Sequence, residues 1–108
     1  MARSQAMKAQ LEAEREKIRA QIAELDERLD VKPDYTLGAG DPAVYQWEFN
    51  LAMRDQALEK LQAINDALSR IAAGTYGKCA KCGVEIEKER LELLPSTSVC
   101  VHCAMSRR

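Results

Sequence analysis

Val31-Lys32-Pro33-Asp34-Tyr35-Thr36-Leu37-Gly38-Ala39-Gly40-Asp41-Pro42 is the stretch on which the fold turns, because it separates two long helical patterns. The Pro33 ring removes a backbone donor and pushes Lys32 out of helical geometry. Gly38, Gly40 and Pro42 prolong the break. Asp41 is placed to cap a second helix, with Pro42 at its first position. Upstream, from Gln5 to Asp30, the apolar residues Leu11, Ile18, Ile22, Leu25 and Leu29 recur at spacings of seven, four, three and four. That is the stripe of an amphipathic helix, and no Gly or Pro interrupts it. Downstream, Val44, Trp47, Leu51, Leu58, Leu61 and Leu68 form a matching stripe to Ala73, where Gly74 is a natural C-cap. Two long helices with narrow stripes and a connection of about ten residues predict an antiparallel helical hairpin, a coiled coil over residues 1–73 with its tip at about 31–42.

The polar residues Arg15, Arg54 and Asn65 fall at core-type positions, where such residues fix register or extend their charged ends outward. Trp47 reads as a packing residue near the tip. Ile64 and Ile71 lie beside the stripe and are candidates to dock on Tyr76, Ile86, Leu91 and Leu93 of the segment that follows.

The 108 residues carry 16 basic and 17 acidic side chains, a net charge of −1, which disfavours a strongly basic nucleic-acid binder. Five aromatic residues and 31% charged residues argue against a broad core and for something narrow or metal-stapled. No signal-like apolar run and no membrane-length stretch is present, so a cytoplasmic protein with no membrane partner is expected. Charge divides unevenly: residues 1–73 carry 10 basic and 13 acidic side chains, and residues 74–108 carry 6 and 4. This points to a second module over 74–108.

All four cysteines lie in that module, at Cys79, Cys82, Cys100 and Cys103. Two C-x-x-C pairs separated by seventeen residues have the spacing of a four-thiolate zinc finger. Four soft thiolates leave no vacant position for a catalytic water, so one structural Zn²⁺ is expected, although spacing alone does not separate zinc from iron. A C-x-x-C redox pair normally begins a helix in a βαβ pattern, which is missing here. His102, the single histidine, is the alternative to a sulfur ligand or else an exposed imidazole. With no second histidine and no nucleophile paired with a base, an enzyme is not expected. The basic residues Lys78, Lys81, Lys88, Arg90, Arg107 and Arg108 read as a solvated face rather than a DNA-recognition surface, and no sequence-specific DNA binding is expected.

The run Ala67-Leu68-Ser69-Arg70-Ile71-Ala72-Ala73-Gly74-Thr75-Tyr76-Gly77-Lys78-Cys79, followed by Cys82-Gly83, Ile86, Arg90-Leu91, Pro95 and Cys100-x-x-Cys103, resembles the DksA/TraR family of bacterial zinc-finger transcription regulators. The motif covers about a third of the chain. The resemblance implies a coiled coil that enters the secondary channel of bacterial RNA polymerase and modulates initiation there. It also implies a link to the stringent response, with ppGpp as a candidate participant at the polymerase interface. The family's tip carries an acid, two residues, a second acid, one residue and an alanine; Gly38-Ala39-Gly40-Asp41-Pro42-Ala43 is the best alignment. Asp41 and Ala43 match and become the candidate polymerase-contacting residues, whereas Gly38 stands where the first acid is expected. The competing expectation is a zinc-stabilised protein–protein adaptor without direct transcriptional activity.

Overall fold

The computed structural model describes residues 2–38 and 40–106. Ala39 of the tip and Arg107 and Arg108 of the basic set lie outside the described residues. Helix α1 spans Ala2–Leu29, beginning three residues before the expected Gln5. Its exposed side carries the ion pairs Glu16–Arg19 and Glu24–Arg28, at 3.0 and 2.6 Å, each worth a few tenths of a kcal/mol. Helix α2 spans Pro42–Ala73, with the bounds the sequence predicts. Asp41 Oδ1 accepts the Ala43 amide at 2.8 Å, an N-cap as expected. At the other end Gly74, with φ +79°, donates to the Ile71 carbonyl while Thr75 donates to that of Arg70. This paired closure is a Schellman motif, and a left-handed residue is what it requires.

The chain divides into two compact units, Met1–Arg15 with Gln62–Arg108, and Glu16–Leu61. The second is the hairpin, in which the end of α1 runs antiparallel to the start of α2. Trp47 Nε1 donates to the Leu29 carbonyl at 3.0 Å, satisfying one of the acceptors that the end of α1 leaves open. Arg54 pairs with Asp26 across the hairpin. So Trp47 packs, as expected, and also closes a helix end; Arg54 keeps its inward position by pairing with the opposite helix.

The tip is built by local hydrogen bonds. Asp34 Oδ1 accepts both the amide and the hydroxyl of Thr36, at 2.9 and 2.6 Å, and starts a short 3-10 turn, Tyr35–Leu37. The Thr36 hydroxyl first, and then its amide, hold the Asp34 carboxyl below the ordinary carboxylate range. Tyr35 meets Trp47 edge to face, with ring centroids 6.2 Å apart. Gly38 follows at φ +91°, ψ 161°, and its carbonyl accepts the Asp41 amide at 3.1 Å. Only glycine adopts that backbone conformation readily.

The buried stripe of α2 differs from the expected one. In the hairpin unit it follows Trp47, Asn50, Arg54, Ala57 and Leu61, with Asn50 at 7% and Ala57 at 3% exposure. Leu51 and Leu58, expected in the stripe, are each 38% exposed. The cause is geometric: these leucines lie one residue further round the helix than the side that faces α1, and apolarity alone does not fix which flank turns inward. In the first unit, which carries the four cysteines, Ile64 is buried and Ile71 half-buried, inside the stripe rather than beside it. No described helix is long and apolar enough to cross a membrane.

Trp47→Phe keeps the ring but removes the donor to Leu29. It is expected to lower stability by about 1 kcal/mol, read as a reduced urea midpoint with an unchanged m-value; an unchanged midpoint would show that water replaces the bond at no cost.

Candidate metal centre

Beyond the Schellman closure the chain makes a tight loop at each cysteine pair. The first is framed by an isolated antiparallel bridge between Lys78 and Glu85. The Cys79 amide donates to the Val84 carbonyl at 2.8 Å, and Gly83, at φ +81°, donates back to the Cys79 carbonyl at 2.9 Å. Left-handed geometry at Gly83 lets the chain reverse immediately after Cys82. The second pair opens the short helix α4, Val101–Met105, preceded by α3, Lys88–Leu93. Two backbone bonds tie the pieces together, Ala80 to the Ser98 carbonyl at 2.8 Å and Ile86 to that of Gly77 at 2.7 Å.

The pairs repeat one local design. The Cys82 amide lies 3.5 Å from Cys79 Sγ, and the Cys103 amide 3.5 Å from Cys100 Sγ. Each first cysteine thereby presents its sulfur to a donor that favours thiolate. All four sulfurs lie within 4.8 Å of one another, with Cys82 Sγ and Cys100 Sγ at 3.7 Å. A metal–sulfur bond of about 2.3 Å in a tetrahedron implies sulfur–sulfur edges of about 3.8 Å. The donor set and its spacing therefore fit one zinc ion. His102 is exposed on α4 and stands outside this cluster, so the histidine alternative to a sulfur is not what the geometry offers.

The electrostatics of the cluster point the same way. Burial acts to raise the Cys79 thiol, but the amides of Cys82, Cys100 and Lys81 outweigh it and bring it to about 5. Hydrogen bonds with the Cys79 and Cys82 side chains push Cys103 up to about 12. Left to themselves, the sulfurs share protons rather than ionise together; a divalent cation lets all four become thiolates.

Cys79, Ile86, Leu91 and Cys100 make a small buried cluster, with Tyr76, Val99 and Cys103 packed against it. Tyr76, Ile86 and Leu91 thus serve as the expected apolar surface, but Leu93 does not: it is 81% exposed. Leu91 covers the core, and Leu93, two residues or about 200° further round α3, falls on the opposite side.

Three side chains fasten the strand of chain that delivers Cys100. Tyr76 Oη donates to the Pro95 carbonyl at 2.8 Å, Arg70 Nη2 to that of Thr97 at 3.2 Å, and Arg90 Nε to that of Val99 at 3.0 Å. Glu87 adds a fourth tie by accepting the Val101 amide at the start of α4, 3.3 Å away; its own backbone amide first, and then this bond, hold its carboxyl low. Arg90 is half-buried and engaged, not part of a solvated basic face. Arg70, Tyr76 and Arg90 belong to the quoted motif, so their presence was legible and their task was not. Glu87 offered no signal, because its partner lies 14 positions away. Asp41 and Ala43 fall in the hairpin unit, joined by the cap bond already described.

Residues 74–107 match the prokaryotic dksA/traR C4-type zinc finger. This similarity is confined to the C-terminal module, which carries the four cysteines. Its one cofactor is structural zinc. Similar sequences include the RNA polymerase-binding transcription factors DksA of Escherichia coli K12 and Salmonella typhimurium, 34% identical over 65 residues, 58% of this chain and 43% of theirs. An uncharacterised protein of Aquifex aeolicus is 48% identical over 44 residues, 41% of this chain and 30% of its own. The chain thus matches less than half the length of these curated relatives. The solved structure of transcription factor DksA2 from Pseudomonas aeruginosa superposes with a TM-score of 0.80 over 98% of this chain and 83% of that one, at 24% identity. That likeness establishes the fold of a helical hairpin with a dksA/traR finger.

Two outcomes check the centre. Chelation of the zinc-loaded protein is expected to unfold the finger, since metal ligation in small zinc modules is worth roughly 10 to 16 kcal/mol; acidification should do the same because each thiolate must take back a proton. A finger whose amide NMR dispersion survives complete zinc removal would refute this. Arg90→Met, which removes the donor to Val99, is expected to cost about 1–2 kcal/mol and to speed zinc loss to a chromogenic chelator; an unchanged rate would mean that Arg70 and Tyr76 suffice.

Proposed function

We propose that this protein is a zinc-containing regulator of bacterial transcription that binds RNA polymerase through its secondary channel and modulates initiation with the tip of its hairpin. The observation that carries the proposal is the pairing of a dksA/traR finger with an antiparallel helical hairpin. The same pairing is seen in the DksA2 fold, and the 34%-identical relatives are named for polymerase binding. In this reading Cys79, Cys82, Cys100 and Cys103 hold the zinc, which folds the finger and takes no part in chemistry. Residues 1–73 act as the reaching hairpin and residues 74–108 as its zinc module. The work is that of a binding protein of the cytoplasm rather than an enzyme, with ppGpp as a participant at the polymerase interface and without direct sequence-specific contact to DNA.

Asp41 and Ala43 are the proposed tip contacts. Asp41 also caps α2, and the two roles separate cleanly by substitution. Asn caps a helix as well as Asp does, so Asp41→Asn removes the charge and keeps the cap, whereas Asp41→Ala removes both. If the tip contact is electrostatic, both variants lose regulation in a purified transcription assay while only Asp41→Ala loses stability, by about 1 kcal/mol. Full regulation by Asp41→Asn would reduce Asp41 to a cap.

The direct test is binding of the zinc-loaded protein to purified bacterial RNA polymerase with a photo-crosslinker at Leu37, which is 58% exposed. Crosslinks beside the catalytic centre are expected. One observation favours the adaptor reading: Gly38 replaces the first tip acid in a conformation suited to glycine. Absence of polymerase binding with intact zinc would move that reading first.

A further inference from the structure

Three inward positions of α2 in the hairpin unit, Trp47, Arg54 and Leu61, recur every seven residues. A second row must accompany them to make a seam, and the sequence provides two. One holds Asn50 and Ala57; the other, one residue further along, holds Val44, Leu51 and Leu58. The structure uses the second row at the start of the helix, where Val44 is 1% exposed, and the first row from there on, where Asn50 and Ala57 are buried and the two leucines stand 38% exposed.

Burying an asparagine and an alanine more deeply than two leucines that keep 38% exposure is the reverse of what transfer energies favour. Leu51 borders a shallow, largely open depression together with Asp26, Leu29, Asp30 and Arg54, so no side chain blocks its outer edge there. Among the described residues no direct hydrogen bond ties Asn50 to α1, although it shares a cleft with Gln21, Glu24 and Arg28 of that helix. Its described side-chain hydrogen bond comes from Gln46 on the same helix, 3.1 Å away, and would travel with it. Arg54, paired with Asp26, faces inward in either arrangement. In the zinc-bearing unit the choice disappears, because the corresponding residues are Ile64, 3% exposed, and Asn65, half-buried.

We propose that α2 in the hairpin unit interconverts between two packing registers, the observed one with Asn50 and Ala57 inward and a second, reached by a rotation of about 50° about the helix axis, with Leu51 and Leu58 inward. The rotation changes what the hairpin offers to a partner. In the observed register an apolar edge of Leu51 and Leu58 is open; in the second it is withdrawn and Asn50 comes to the surface. Backbone hydrogen bonds of α2 persist in both, so this differs from local unfolding.

The test uses the full zinc-loaded chain with methyl labelling. Relaxation dispersion is expected to show microsecond-to-millisecond exchange at Leu51, Leu58 and Ala57 with one shared rate, while the amides of residues 50–58 stay protected from hydrogen exchange. Asn50→Leu strengthens the observed register and should abolish the dispersion. Ala57→Gln weakens it and should raise the minor population severalfold; the paired Leu51→Gln, Leu58→Gln variant, whose changes lie at partly exposed positions, should again abolish the dispersion. Flat dispersion profiles at all three methyls in the natural sequence would overturn the proposal. So would dispersion unaltered by Asn50→Leu, or amides of 50–58 that open at the methyl rate.

Discussion

Four sulfurs within 4.8 Å of one another are the constraint on which the finger depends. Thiolates at that separation repel, and thiols at that separation compete for protons, as the opposite displacements of Cys79 and Cys103 show. A cation resolves the conflict by making every sulfur a ligand. The rest of the finger can then be understood as what is needed to bring two C-x-x-C loops to one point: a glycine that reverses the chain after Cys82, amides aimed at Cys79 and Cys100, and side chains that anchor the 95–99 segment. Its buried cluster of Cys79, Ile86, Leu91 and Cys100 includes two of the ligands themselves. Apolar burial on that scale would not offset the ordering entropy of about 35 residues, so core and metal site are one structure.

How legible this was in the sequence depends on the range of the interactions. The two helices, their ends and the break between them are set by local signals, and Pro33, Asp41, Pro42 and Gly74 act where the sequence places them. The cysteine spacing is equally local in kind, because the pairs are short and their chemistry is specific. What could not be read were the ties that cross the finger. Arg90 is a charge near other charges until the chain folds and sets the Val99 carbonyl 3.0 Å away. The rotational setting of α2 was also hidden, because two rows flank the same inward positions and the one with the larger apolar residues is not the one that the structure buries.

The tip shows how a substitution seen only as missing charge can have a backbone meaning. In sequence, Gly38 is the absence of an acid. In the structure it occupies φ +91°, ψ 161° and passes its carbonyl to the Asp41 amide, between a 3-10 turn started by Asp34 and a helix capped by Asp41. Asp34 Oδ1 accepts both of the Thr36 bonds that start that turn. An acid at position 38 would have to be accommodated by a different loop, not merely added to this one.

The two units also differ in how firmly their sequence specifies them. In the zinc-bearing unit, Leu11, Ile64, Ala67 and Leu91 are buried, and the metal adds bonds that have one geometry. In the hairpin unit, three successive inward positions of α2 are Asn50, Arg54 and Ala57, which bring a polar amide, a paired charge and a single methyl. Such a seam gains little from depth of packing and relies on the Trp47–Leu29 closure and the Arg54–Asp26 pair for alignment. A narrow, weakly committed seam leaves a slender hairpin with apolar side chains such as Leu37, Tyr45 and Phe49 on its outside. Apolar area left unburied in this way is area still available to a partner.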